Sequence, residues 1–245
     1  MDSFLQRMPP VTRYMLVAIF VLTLGGNFGL IPPQYLLLDL KLVWSRFHVW
    51  RLVTCFFFMG RLGFPFLMNT MYFYRYSTNL ENQSFDGRPA DYVYMLLVCG
   101  SALIVAGWGL GLPVLGMALI MSVIYLWSQR NMGMDVSFMF GITFKSQYLP
   151  WALCALTVLL GGSPIVQLLG IAAGHLYYFL HDLYPLSPGG VQYLNTPQWL
   201  TNLIPPTGGA AVSGAAPFAR PGAVPPPAGG PPRGHSWGSG RRLAD

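Results

Sequence analysis

Nucleophilic chemistry at a serine needs a base within reach of its hydroxyl, and His175, set in the middle of an apolar run, could supply that base. The natural hydroxyl to test against it is Ser122, in the apolar segment Leu119 to Tyr125. Ile120 stands where a glycine would let a nucleophile and its oxyanion donors approach a substrate, so the serine lacks its usual setting. Gly161, Gly162 and Ser163 do supply glycine, but they form a turn about three helical turns before His175. The plainer role for His175 is a neutral imidazole hydrogen-bonded to a neighbouring helix, because an ionisable group inside an apolar helix needs a partner. Intramembrane serine proteolysis therefore stands as the enzymatic alternative to a non-catalytic protein. No Walker loop, H-E-x-x-H, dinucleotide fingerprint or metal-ligand spacing occurs, and Cys55, Cys99 and Cys154 fit neither a zinc site nor a disulfide framework. No metal and no cofactor is expected.

Other residues carry structural chemistry. Gly170 and Gly174 form a G-x-x-x-G pair, which lets two helix backbones approach closely where lipid gives apolar side chains no drive to associate. Trp50 and Arg51 close the segment KLVWSRFHVWR, where cations alternate with Trp44, Phe47 and Trp50, as in a segment lying in a membrane interface. Trp50 and Arg51 are either interfacial anchors, or Arg51 is buried on helix ends and carbonyls and fixes this loop to the rest. Asp86, Arg88 and Asp91 belong to a turn around Gly87 and Pro89, with Asp91 as a helix-cap candidate. His181 and Asp182 read as solvated polar residues at a helix end.

These residues must be positioned by membrane helices. Of 245 residues, 53% are hydrophobic and only 9% charged, against about 25% charged in an ordinary soluble domain. Six apolar stretches, roughly 14–31, 53–76, 92–109, 112–128, 148–163 and 164–182, approach the ~20 residues that span a bilayer core. An uncleaved first helix is expected rather than a signal peptide, because the run is long and no cleavage site follows. The second stretch holds Gly60, Arg61, Gly63 and Pro65, so its start is expected to be irregular backbone, buried in protein or met by water. Loops with Arg7 and Arg13, Arg75 and Arg88, and Arg130 and Lys145 share one side, which places both termini in the cytosol. The first loop, with Lys41, Arg46 and Arg51, is the exception. The net charge of +6 forms no continuous basic stripe, so nucleic acid is not an expected partner.

The expected organisation is a cytosolic segment over 1–13, an all-α membrane domain over 14–184 and a cytosolic tail over 185–245. After Ile204 the tail is Pro, Gly and Ala, a composition of disorder, until GHSWGSGRRLAD restores Trp, Arg and Leu in the form of a short peptide ligand.

Taken together, VWR (49–51), YSTNLE (76–81), FDGRPADY (85–92), LIMSVIYLWSQRN (119–131), SQYLPW (146–151), GHLYYFL (174–180) and TPQWL (196–200) make the chain resemble the derlins nearly end to end. Derlins are rhomboid-related pseudoproteases of the endoplasmic reticulum membrane. The resemblance implies a rhomboid-like bundle of six transmembrane helices, multi-pass in that membrane, and a role in endoplasmic-reticulum-associated degradation. There, misfolded clients are retrotranslocated to the cytosol for ubiquitination. It also implies a membrane-embedded ubiquitin ligase as partner and a homo- or hetero-oligomer. Trp50 and Arg51 match the family's Trp-Arg motif in the first lumenal loop, and Gly170 and Gly174 match its sixth-helix glycine pair. The G-x-S of active rhomboids is missing from the fourth stretch, so His175 looks like the remnant of a dyad and no catalytic residue is expected. Within 235–243, Trp237, Gly238, Gly240 and Leu243 match the motif by which derlins recruit the valosin-containing AAA ATPase, with Arg241 where some relatives place an aromatic. A scaffold that joins ligase and ATPase without forming a path is the other alternative.

Overall fold

The computed structural model describes residues 8–137, 141, 143–187 and 194–206, and the chain divides into units over 1–210 and 211–245. The second unit lies outside the described residues, and with it Trp237, Gly238, Gly240 and Leu243.

Helix α1 (Pro10–Asn27) opens on a proline, whose missing N–H is harmless in a first turn. The next two backbone donors, Val11 and Thr12, give their hydrogen bonds to the Glu81 carboxylate at 3.0 and 2.9 Å, so an acid from another helix caps this one. The first loop follows, with α2 (Leu40–Arg46) and α3 (Arg51–Phe57). Then come α4 (Phe64–Ser84), α5 (Pro89–Gly109) and α6 (Gly116–Arg130). A short antiparallel pair, β1 (Asp135–Ser137) with β2 (Thr143–Lys145), leads to α7 (Leu149–Leu159) and α8 (Ile165–Tyr178). Helix α8 runs on as a π turn over Phe179–Leu183, and α9 (Gln198–Leu203) closes the described part.

The centre is α6. Ala118 to Ser128 are all buried, which requires a helix that is apolar or small on every face. Helices α3, α4, α5, α7 and α8 all pack on it. The closest approach is that of α8, where a Cβ on Gly170 would run into the Ala118 carbonyl oxygen and one on Gly174 would lie 2.9 Å from that of Ser122. Only glycine permits this approach, so the G-x-x-x-G pair is the seam between α6 and α8.

The second apolar stretch departs from its expected bounds. It divides into α3 and α4 around an irregular segment over 58–63, in which Gly60 takes φ +82°. Helix α4 then runs to Ser84, beyond the expected end at 76, so Arg75 is helical rather than in a loop. Its last turns are polar because they work inside the protein: Ser77 and Glu81 are buried, and both accept or share hydrogen bonds with the Thr12 side chain. Among the described residues, α1 and α5, of 18 and 21 residues, are long and apolar enough to cross a membrane. Helices α6, α7 and α8 have 15, 11 and 14 residues.

Two polar expectations are also corrected. Asp91 does not cap α5, since Arg88 holds the N-cap position; Asp91 sits in the first turn, 3.4 Å from Arg88, and accepts a hydrogen bond from Thr196 at 2.6 Å. That bond and buried Leu200 fasten α9 to α5, so the segment expected to begin the tail is folded at 194–206. Asp182 is not simply solvated. It forms a bidentate pair with Arg130 at 2.9 and 3.0 Å, with both side chains largely buried.

Candidate functional site

Two places gather the residues with chemical potential: the first loop, and the outer edge of the seam between α6 and α8. In the loop, Asp39 starts α2 by accepting from the backbone N–H groups of Lys41 and Leu42 at 3.0 and 3.4 Å. Phe47 ends the helix in the left-handed region at φ 53°, a costly conformation for a bulky side chain. The kink turns the chain so that Trp50 precedes α3 and Arg51 opens it.

Arg51 is 3% exposed. One terminal nitrogen donates to the carbonyls of Gln34 at 2.7 Å and Leu37 at 2.9 Å, and the guanidinium lies 6.0 Å from the Tyr35 ring centre. Thr54 adds a bond to the Leu36 carbonyl at 3.3 Å, and the Leu38 N–H reaches the carbonyl of Pro113 at 2.8 Å. Arg51 is thus the peg on which residues 34–38 hang, and the loop is held against the turn between α5 and α6. Trp50 is half-exposed and stacks on His48 at 4.5 Å, which leaves its ring free to meet lipid or another chain.

At the seam, His175 projects from α8 to the surface of the bundle and is exposed there. Its Nδ1 lies 2.7 Å from the hydroxyl of Tyr125 on α6, and the two rings meet edge to face at 5.7 Å. Ser122 is fully buried, and its hydroxyl donates to the Leu119 carbonyl at 2.7 Å. The two candidate dyad residues therefore have separate partners. A serine whose proton is committed to its own helix, with no exposure to a substrate, is poorly placed as a nucleophile. The one signal the sequence holds for Tyr125 is its position one turn after Ser122 on the same helix.

No group of three or more metal-ligating side chains occurs among the described residues. Gly170 and Gly174 shape the seam without contributing chemistry. At the other end of the same two helices, Arg130, Asp182 and His181 form a cluster, with His181 2.6 Å from Asp182 and stacked on Tyr177 at 5.1 Å. Arg130 also lies 4.7 Å from the Phe85 ring centre.

Comparison with known proteins finds relatives along nearly the whole chain. The sequence profile of the Der1-like family matches residues 8–198. Derlin-1 of Homo sapiens is 41% identical over 247 residues, covering 99% of this chain and 98% of that protein. Derlin-1 of Drosophila melanogaster is 36% identical with 96% and 95% coverage, and Derlin-1 of Arabidopsis thaliana 36% identical with 82% and 76%. A match over most of the chain by profile, and over nearly all of it by a relative this similar, places the chain in the Der1-like family, the derlins.

Proposed function

We propose that this protein carries out the derlin task in endoplasmic-reticulum-associated degradation without catalysis, by easing misfolded clients through a locally thinned membrane. The observation that carries this is the shortness of the helices beside the seam. Helix α7, with 11 residues, is about 16 Å long, roughly half of a ~30 Å hydrocarbon core. Lipid must thin to meet such a helix, at fractions of a kcal/mol per Å of mismatch. Polypeptide backbone, which loses several kcal/mol per unsatisfied group in hydrocarbon, would cross such a region more easily.

In this proposal the domain spans the endoplasmic reticulum membrane six times with both termini cytosolic, as the distribution of Arg and Lys supports. Photo-crosslinkers at Trp151 and Leu159, both exposed on α7, should capture a misfolded lumenal reporter in transit. Undiminished reporter decay with no capture at either position would favour the scaffold alternative, in which the protein joins a membrane-embedded ubiquitin ligase to the motor without forming a path. Clients, ligase and oligomeric partners complete the proposed assembly.

The tail supplies the motor. Trp237, Gly238, Gly240 and Leu243 form the proposed docking peptide for the valosin-containing AAA ATPase, on a Pro/Gly-rich tether long enough to reach a large cytosolic ring. Deletion of residues 234–245 should abolish co-purification of the ATPase while leaving membrane insertion intact. Unchanged recovery of the ATPase would rule this tether out.

A further inference from the structure

Between the first loop and the turn joining α5 to α6 lies an open cleft of about 730 Å³. Residues 34–42 form one wall and the segment from Gly107 to Pro113 the other. Three cations line it, Lys41, Arg46 and Arg51, together with His48. The acid among the lining residues is Asp39, which is engaged with the backbone N–H groups that start α2. None of the three cations enters a salt bridge among the described residues.

One of them is also short of an acceptor. Arg51 is buried, its outer nitrogen holds two carbonyls, and its Nε–H is buried without a partner. The His48 Nδ1 is likewise buried and unmatched. An unmet donor on a buried guanidinium is expensive, and the guanidinium, which is charged at any working pH, sits among the residues that line the cleft. The same segment tells where the cleft lies. Among the described residues Trp44 and Phe47 are two of the most exposed large side chains, at 89% and 82%, beside the cations on and just after the short helix α2. Aromatics and cations so mixed belong at the headgroup level of a bilayer.

We propose that this cleft is a binding site for a phosphate-bearing anion, supplied by the headgroup of an anionic phospholipid in the leaflet that the first loop contacts. Lys41 and Arg46 donate to the phosphate oxygens at the rim and the Arg51 guanidinium adds its positive charge at the floor, while Trp44 and Phe47 enter the acyl boundary. This rests on the membrane placement proposed above. It adds a ligand to it: lipid held in the cleft would pin the first loop to the membrane surface.

The test uses the full-length protein purified in detergent and measures retained lipid by native mass spectrometry. Dioleoyl phosphatidylglycerol, dioleoyl phosphatidylcholine and inorganic phosphate are added in separate arms. The wild type should retain the anionic lipid over the zwitterionic one, and a Lys41→Gln, Arg46→Gln double variant should bind it about ten-fold more weakly. Both substitutions are at exposed positions, so equal melting temperatures of variant and wild type check that folding is intact. Lys145→Gln, beside the far end of α6, serves as the charge control and should bind as the wild type does. Displacement of the lipid by millimolar inorganic phosphate would assign the site to the phosphate group itself. Retention against it would assign the site to the whole lipid. Equal retention of phosphatidylglycerol by wild type and double variant, or equal retention of the two lipids by the wild type, overturns the proposal. Reporter decay is measured separately in cells, so loss of lipid with decay intact removes only the cleft's role, and loss of decay with lipid retained bears only on the degradation role.

Discussion

Gly170→Leu is expected to unfold the bundle or lower its stability by about 3 kcal/mol, the upper range for forcing volume into a packed core. At this position even a methyl group would collide with the Ala118 carbonyl oxygen and lie 2.7 Å from the Met121 Cβ. Both neighbours belong to α6, whose other faces are occupied by α3, α4, α5 and α7, so it has no direction in which to yield. Helix α8 would have to move outward and would take Gly174, Tyr177 and the Tyr125–His175 contact with it. Ala172→Leu, two residues away on an exposed face of the same helix, is the control and should melt near the wild type. Thermal unfolding of the purified protein in one detergent compares them, and equal melting of the two variants would mean that the seam is not close-packed.

The second large effect is expected from Asp182→Ala. The carboxylate binds both the Nε and one terminal nitrogen of Arg130, at 2.9 and 3.0 Å, and the two side chains are 8% and 14% exposed. Removing Asp182 takes away the carboxylate that both Arg130 and His181 bind, a loss of up to about 3–5 kcal/mol for a buried pair, whereas replacing Arg130 and Asp182 together by apolar side chains is often near neutral. Asp182→Ala should therefore lower the melting temperature strongly. The double variant Arg130→Met, Asp182→Leu should recover most of the loss. If the double variant is as unstable as the sum of its single ones, the residues contribute independently and the pair does not act as a unit.

How much of this was legible in the sequence depends on the range of the interaction. The apolar helices were, as helices though not as six membrane spans, because an apolar run announces itself locally, and the close approach at Gly170 and Gly174 follows from a four-residue glycine spacing that has few other uses on an apolar helix. The irregular segment over 58–63 was legible for the same reason, from two glycines and a proline in close succession. What escaped were partnerships between residues far apart in the chain. Asp182 looked solvated because its partner Arg130 is 52 residues away, and the polar end of α4 looked like a loop because Glu81 finds its donors 69 and 70 residues earlier. The Tyr125 hydroxyl beside His175 was hidden likewise, across 50 residues. Helix α9 was missed because TPQWL sits in a polar, proline-containing segment whose folding depends on docking Leu200 and Thr196 to α5. The two readings of Arg51 could not be separated without knowing that its acceptors are main-chain carbonyls, which no residue type signals.

The central claim, that the protein serves degradation without catalysis, is tested most directly in cells depleted of it. Decay of a misfolded lumenal reporter is followed after re-supply of the wild type or of a Ser122→Ala, His175→Ala double variant at equal level. Equal decay is expected with both, because Ser122 is buried on the Leu119 carbonyl and His175 is held by Tyr125 rather than by a serine. Restoration by the wild type alone, with the variant shown to be folded and inserted, would contradict it and make the protein an intramembrane protease.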